Sequence, residues 1–303
     1  MRSKYFAFIL LCVIALGAIM GCNKKDYDQL AIMTMTSNDA KISIDLGGTG
    51  SATVHWPDGD QTLTLSPDNG TRFSRTYDAA QNRTITISGK NITSLYCDYD
   101  YGLLTLDVSN NTKLNRLTIF NSPLTSLDVS GCYALRSLYF ERTKLTSLDV
   151  SECTALKTLQ AIHNSQLTSL DVSRCTALET LSVFGSSLTS LDVSRCTALE
   201  TLSVNKSNLT SLDVSRCTAL EILSVFESSL TSLDVSRCTM LSWLKCDNNQ
   251  LTAAALDALF EMLPKKSIGS NGAIFVGKNP GTNTCNQIIA IRKRWMVLGT
   301  YVD

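Results

Sequence analysis

The tract Leu-Thr-Ser-Leu-Asp-Val-Ser recurs almost unchanged through the middle of the chain, and its aspartates, Asp107, Asp128, Asp149, Asp171, Asp192, Asp213 and Asp234, fall 21 or 22 residues apart. A fixed period of this length describes a small unit that cannot bury its own apolar side and does so by stacking on copies of itself. Two half-turns make each unit. Leu178 to Leu199 shows both: Leu178-x-x-Leu181-x-Val183-x-x-Ser186-x-Leu188, then Leu188-x-x-Leu191-x-Val193-x-x-Cys196-x-x-Leu199. Within Leu181-x-Val183 the apolar residues sit two apart, the spacing that sends them to one face of a strand and the residue between them to the other. First-half strands are predicted to begin at Ile92, Leu114, Leu135, Leu156, Leu178, Leu199, Leu220 and Leu241, making eight coils. At about 4.8 Å per strand such coils form a rod roughly 40 Å long around a continuous leucine core.

These residues resemble the leucine-rich repeat family, most closely the short type of internalin-like and Bacteroides-type bacterial surface proteins. The pattern LxxLxLxxNxL reads here as Leu241-x-x-Leu244-x-Cys246-x-x-Asn249-x-Leu251. One departure stands out. Where the family places Asn, the first half-turn mostly carries Ser or Thr, at Thr143, Ser186, Ser207 and Ser228. The second half-turn carries a cysteine ladder: Cys132, Cys153, Cys175, Cys196, Cys217 and Cys238. The expected fold class is mainly β with an α/β C-terminal cap, a solenoid of about eight 21-residue coils preceded by a small β-sandwich-like domain.

The chain has 303 residues, 44% of them hydrophobic, enough to bury a large core. Its 27 basic and 27 acidic residues balance, which argues against a nucleic-acid partner. Residues 1–21 read as an export signal, with Arg2 and Lys4 ahead of an apolar run from Tyr5 to Met20. Ile19-Met20-Gly21-Cys22 resembles the lipobox of bacterial lipoproteins, which implies cleavage before Cys22 and its lipidation. An ordinary signal peptide or a membrane anchor is the alternative, but the run is short for a span. Cleavage removes Arg2 and Lys4, leaving 25 basic against 27 acidic residues. Residues 22–30 form a polar tether whose charges are similar to the surface-export signals of Bacteroidetes lipoproteins. That resemblance implies an outer-membrane lipoprotein of a Gram-negative bacterium, displayed outward.

Residues 31–90 are predicted to be β structure, with runs at Lys41 to Leu46, Ala52 to Trp56, Thr62 to Leu65 and Thr84 to Ser88 between Gly47-Gly48, Pro57-Asp58-Gly59 and Asp68-Asn69-Gly70 turns. Val54-His55-Trp56-Pro57-Asp58-Gly59, Phe73-Ser74-Arg75-Thr76-Tyr77 and Thr84-Ile85-Thr86-Ile87 resemble PKD-type β-sandwiches of extracellular proteins; a β cap over the first coil is the alternative. The solenoid occupies 91–252 and a cap 253–303. In the cap, Ala253 to Leu263 reads as an amphipathic helix stopped by Pro264, followed by a strand at Ala273 to Val276. A second helix runs to about Trp295, with Asn283 or Thr284 as its cap.

The cysteine ladder invites disulfide or metal readings. The chain offers no CxxC, however, and its two histidines, His55 and His163, lie far from the cysteines, so buried free thiols are expected and no metal or cofactor. Stacked aspartates about 5 Å apart repel by roughly 1 kcal/mol per contact in water. Ser130, Ser173, Ser194 and their equivalents, with Arg174, Arg195, Arg216 and Arg237, are expected to offset this. A calcium stripe is the alternative, but the Gly-rich aspartate turns of calcium-binding β-rolls are missing. No nucleophile and base, and no pair of carboxylates, stands apart from the repeat, so no enzyme is expected. His163 falls in the one coil with an extra residue, Leu156 to Leu167, where a bulge is expected.

Comparing the coils with one another isolates the variable positions. The second half-turn is nearly constant. Two outward columns of the first half-turn vary: Asp98, Phe120, Glu141, Ile162, Phe184, Asn205, Phe226 and Asp247, then Tyr99, Asn121, Arg142, His163, Gly185, Lys206, Glu227 and Asn248. Tyr96, Tyr139, Trp243 and Lys245 flank them. Aromatic side chains on an exposed sheet anchor binding surfaces. The expected site is therefore Phe120, Tyr139, Arg142, Ile162, Phe184, Asn205, Lys206, Phe226, Trp243 and Lys245, engaging a protein or glycan in adhesion or host contact. A structural or accessory envelope subunit with a bacterial protein partner is the alternative.

Overall fold

The computed structural model describes residues 30–67, 70–97 and 102–299. The export signal, Cys22, the tether to residue 29, Asp68-Asn69, and Asp98 and Tyr99 lie outside the described residues.

Six N-terminal strands come first: β1 (Ala31–Ser37), β2 (Lys41–Gly48), β3 (Ser51–Trp56), β4 (Gly59–Thr64), β5 (Thr71–Thr76) and β6 (Arg83–Gly89). The solenoid strands are β7 (Ile92–Cys97), β9 (Arg116–Phe120), β11 (Ser137–Glu141), β13 (Thr158–Ile162), β15 (Thr180–Phe184), β16 (Thr201–Asn205), β17 (Ile222–Ser224) and β18 (Trp243–Lys245). Shorter second-half strands are β8 (Leu103–Asp107), β10 (Ser126–Asp128), β12 (Ser147–Asp149) and β14 (Ser169–Asp171). Parallel pairing sets Leu181 beside Leu202, Leu202 beside Leu223 and Leu223 beside Leu244, as the repeat requires. All four are fully buried.

The parallel stack does not stop at eight strands. β19 (Gly272–Phe275) pairs with β18, and β20 (Trp295–Leu298) pairs with β19, giving, among the described residues, ten parallel first-half strands in a 12-stranded sheet. Ile274 lies beside Leu244 and Val297 beside Ile274, so these residues continue the leucine column. The repeat signature misses them because helix and loop inserts stretch the spacing between column residues beyond 21.

Inserted before β19 is helix α1 (Ala253–Met262), which opens where Thr252 Oγ1 accepts the Ala255 N–H at 3.3 Å and buries Leu256, Leu259 and Phe260. The second helix differs from expectation. It is the short α2 (Ile288–Arg292), preceded by Gln287 with no side-chain cap, and neither Asn283 nor Thr284 serves. Trp295 opens β20 instead of ending the helix.

At the other end both sheets pass residue 90 without a break. β2 pairs antiparallel with β7 and β1 with β8, so the N-terminal strands extend both layers of the solenoid and share its core. Strand β1 has no counterpart among the expected runs; its Met33 and Met35 are fully buried between the layers. At the seam, the β2–β7 register shifts at Gly47/Gly48, where a side chain would not fit: a Cβ on Gly48 would stand 2.0 Å from the Asn91 carbonyl oxygen.

The extra residue of the 22-residue coil leaves the strand intact. β11, β13 and β15 pair in unbroken register, and the insertion is taken up in the turn where Leu167 N–H donates to the Asn164 carbonyl at 2.9 Å. The expected bulge is absent because the sheet holds register on both sides, while the turn is free to lengthen.

Candidate functional site

Strands β9, β11, β13, β15, β16, β17 and β18 are each followed by a residue with left-handed backbone. Asn121, Arg142, His163, Gly185, Lys206, Glu227 and Asn248 all have positive φ, between 48° and 66°. One of the two variable columns is therefore the corner where every coil turns away from the sheet, a conformation uncommon for side chains other than Gly and Asn. The corner is held from coil to coil: Arg142 N–H donates to the Ile162 carbonyl at 3.0 Å and Lys206 N–H to Phe226 at 3.0 Å. This places Arg142, His163 and Lys206 exposed along one rim of the strand face.

On the face itself the aromatic rings meet across strands. Phe120 lies 5.7 Å from Tyr96 and 4.7 Å from Tyr139. Tyr139 donates its hydroxyl to Glu141 Oε2 at 3.0 Å, and burial with this carboxylate pushes the phenol up to about 12. Glu141 also pairs with Arg142. After Ile162, half-buried, a second run begins: His163 to Phe184 at 5.0 Å and Phe184 to Phe226 at 6.3 Å. Lys245 Nζ stands 3.8 Å over the Phe226 ring and Lys206 Nζ 5.4 Å from that of Phe184, while Lys206 also faces Glu227 at 3.5 Å. Trp243 meets Phe275 at 5.4 Å.

Two placements depart from expectation. Asn205 is 5% exposed, and its amide bridges Ser203 Oγ at 2.6 Å, Ser224 Oγ at 2.8 Å and the Phe226 N–H at 3.1 Å, so it braces the face from beneath instead of presenting to a ligand. Conversely, the apolar end of the face is larger than the repeat reveals. Ile222 pairs with Trp243, Trp243 with Ala273 and Ala273 with Met296, while Lys245 pairs with Phe275 and Phe275 with Leu298. Phe275, Met296 and Leu298 are invisible to a reading by period but follow the inside-outside alternation of Ala273-Ile274-Phe275 and Trp295 to Leu298.

Between Trp243 and the rim, Asp247 keeps one carboxylate oxygen, Oδ1, buried without a hydrogen bond, and burial raises its pKa. An unsatisfied buried acceptor costs about 1–3 kcal/mol.

The constant half-turn has a different chemistry. The six ladder cysteines are fully buried free thiols, each donating to a Val carbonyl one coil back, at distances from 3.1 Å for Cys132 to 3.8 Å for Cys238. Burial holds the thiols protonated: Cys132, Cys153, Cys196 and Cys238 are pushed up to about 12, Cys175 and Cys217 to about 11. The aspartates each accept the N–H of the Ser two residues on, at 2.8 to 2.9 Å from Asp107 through Asp234. That Ser hydroxyl and N–H lower the pKa of Asp192, Asp213 and Asp234, with the neighbouring arginine contributing least. Among the described residues no group of three or more His, Cys, Asp or Glu is disposed to hold a metal ion.

One constellation has no signature in the sequence. His55 Nδ1 lies 3.0 Å from Asp60 Oδ1 and its Nε2 3.0 Å from Ser88 Oγ. The order matches a nucleophile triad. β6, which carries Ser88, is paired on both sides by β1 and β3, so the ladder consumes the backbone N–H groups that an oxyanion would need. The three side chains clamp β3, β4 and β6 together across the outer face of their sheet.

No protein-family model matches the chain, and no curated protein matches its sequence. Among solved structures, the functional domain of InlJ from Listeria monocytogenes, which includes a cysteine ladder, is similar with a TM-score of 0.58 and 31% identity over 69% of this chain and 44% of that one. An internalin, InlF, from Listeria monocytogenes str. 4b F2365 is 16% identical over 61% of this chain and 67% of its own, with a TM-score of 0.39. Human 5T4, the Wnt-activated inhibitory factor 1 or trophoblast glycoprotein, is 15% identical over 59% and 78%, with a TM-score of 0.43. This chain is a leucine-rich repeat β-solenoid, similar in fold to the InlJ domain with its cysteine ladder. It spans less than half the length of the InlJ domain it resembles. No helix of the described residues is long and apolar enough to cross a membrane.

Proposed function

We propose that this chain is a lipid-anchored binding protein of the bacterial envelope that engages a protein ligand through the outer face of its 12-stranded sheet. The observation that carries the reading is the line of aromatic rings from Tyr96 to Phe275 on the variable half of otherwise constant coils. Aromatic side chains with cations over them, Lys245 on Phe226 above all, are the usual anchors of protein interfaces. A glycan stacked on the rings is the second reading, favoured by the Phe120–Tyr139 pair beside Glu141 and Arg142. Adhesion or host contact fits the likeness to InlJ; an accessory role toward another envelope protein is the rival.

The test replaces Phe184 and Phe226 together by Ser and measures binding of the labelled protein to host cells and to isolated envelopes. Loss of binding with a nearly unchanged melting temperature supports the face; unaltered binding removes it. Retention on host cells alone favours adhesion, and on envelopes alone the accessory role. For the anchor, Cys22→Ala is expected to abolish incorporation of labelled palmitate and release the protein from membranes; persistent labelling defeats the lipoprotein reading. Protease shaving of intact cells reads out which side of the outer membrane carries the domain.

A further inference from the structure

The two ends of the 12-stranded sheet are built differently. At one end the edge strand β5 is guarded by charge: Arg72 pairs with Asp45 at 2.6 Å and Arg75 with Asp58 at 3.1 Å. Such charges blunt an edge against adding further strands. At the other end β20, Trp-Met-Val-Leu, carries no charge. Among the described residues no strand pairs with its outer side. The carbonyls of Arg294 and Leu298 accept from Gly272 and Val276 on the β19 side, both at 3.0 Å. In a parallel strand, alternate residues turn their N–H and C=O to opposite sides, so Val297 offers both groups to the open edge. Met296 beside it is 55% exposed.

The sequence that builds this edge is basic. Residues 264–299 contain six basic residues, Lys265, Lys266, Lys278, Arg292, Lys293 and Arg294, and no acidic one. The Lys266 N–H donates to the Lys293 carbonyl at 3.0 Å, which brings Lys265 and Lys266 against the start of β20. Lys293 is turned to Glu261 at 3.7 Å, while Lys265, Arg292 and Arg294 are exposed.

We propose that β20 is an acceptor edge for an extended apolar segment of a partner protein flanked by acidic residues, which adds to the sheet as its next strand. Strand addition satisfies the open N–H and C=O groups of Val297, seats alternate side chains against Met296 and Leu298, and matches acid to Arg292 and Arg294. A bilayer surface offers no hydrogen-bond partners in its apolar interior for that edge. A second copy of the chain brings a like-charged end against this one, at a cost of roughly 1 kcal/mol for each close pair in water. The proposal shares Met296 and Leu298 with the far end of the strand face but does not rest on its anchors, because Phe184 and Phe226 lie several strands away from β20.

The probe is a fluorescent synthetic peptide of alternating valine and threonine with glutamates at both ends, followed by anisotropy against the mature protein. Binding is expected, with the lysine-flanked version of the peptide weaker by about tenfold or more. Val297→Pro removes the outward N–H without taking a hydrogen bond from the β19 ladder; its side chain packs against the core, so some stability is lost, and the folded variant is expected not to bind. Should that variant unfold, Arg294→Glu serves, with an expected swap of preference toward the lysine-flanked peptide. The Phe184→Ser/Phe226→Ser protein is expected to bind the peptide normally, so a failure here and a failure of the strand-face reading are told apart. The proposal is overturned by absence of peptide binding, by equal affinity in folded Val297→Pro, or by loss of binding in the double phenylalanine variant. Concentration-dependent dimerisation lost in Val297→Pro assigns the edge to a second copy, and binding to anionic vesicles in place of peptide assigns it to lipid; either result also overturns it.

Discussion

The two halves of each coil solve different problems with the same backbone. In the second half-turn, Leu-Thr-Ser-Leu-Asp-Val-Ser-x-Cys is nearly invariant, and its aspartate and cysteine are occupied in holding the coil. Aspartate closes a turn on the following Ser, and cysteine fills a small buried site and donates to the coil before. In the first half-turn only the inward leucine column is constant, and the outward residues change from Phe to Glu to Ile to Asn. A stack of coils transmits strict requirements only where side chains meet in the core, so the sheet's outer face is free to vary. The contrast shows where selection for folding ends.

The contrast is broken or sharpened most strongly by paired substitutions across one strand. Leu202→Ala, at a fully buried link of the column, is expected to cost about 2–5 kcal/mol in denaturant unfolding, whereas Ser203→Ala one residue away costs about 1 kcal/mol, the loss of its hydrogen bond from Asn205. Similar losses at both sites would mean that the face is itself part of the core.

Alkaline pH gives the next largest effect. The ladder thiols have folded pKa values raised to about 11 and 12, so stability is at full value below the ordinary thiol pKa and falls as pH rises toward the folded values. Each buried thiol contributes a slope of about 1.4 kcal/mol per pH unit in that window. Cys217→Ala should make the alkaline limb of the stability curve shallower by one thiol's share. The same burial predicts that the native ladder resists a thiol reagent at neutral pH and reacts only on unfolding; rapid labelling of the native protein would show the ladder to be open.

Replacing Phe184 and Phe226 by Ser removes a ring pair at 6.3 Å worth about 0.5–1.5 kcal/mol beyond its area, a loss small beside that at Leu202. The smallest effect is expected at Asp213. Its pKa is lowered by Ser215, so its contribution is present above the ordinary carboxylate pKa and is lost as pH falls through the lowered folded value. Asp213→Asn should flatten the acid limb slightly and lower neutral stability by the same small amount, leaving stability below the folded value unchanged. Calcium should shift neither curve, and a rise in melting temperature with calcium would reopen the stripe.

Legibility followed periodicity. Leucine register, the cysteine and aspartate ladders and the variable columns could all be read from the chain, because each is a residue type repeated at one spacing. What escaped lacks a period. Strands β19 and β20 are separated by inserts, so Phe275, Met296 and Leu298 belong to the face only once the sheet is seen. The His55, Asp60 and Ser88 clamp joins three strands that no local spacing links. Asn205 reads as a surface residue by column, but the amide finds three partners below the face because its neighbours Ser203 and Ser224 are small. The left-handed corner at Arg142, His163 and Lys206 has no residue signature, since the coil enforces it on whatever side chain is present.

The central claim, that contact is made by the variable half of the coil, is tested most directly by a photo-crosslinking amino acid placed at Phe184 or, in a second protein, at Thr189 of the constant half-turn, irradiated on cells bearing the native partner. Adducts from position 184 that the unmodified protein competes away, with none from 189, are predicted. Adducts from 189 and none from 184 would contradict it.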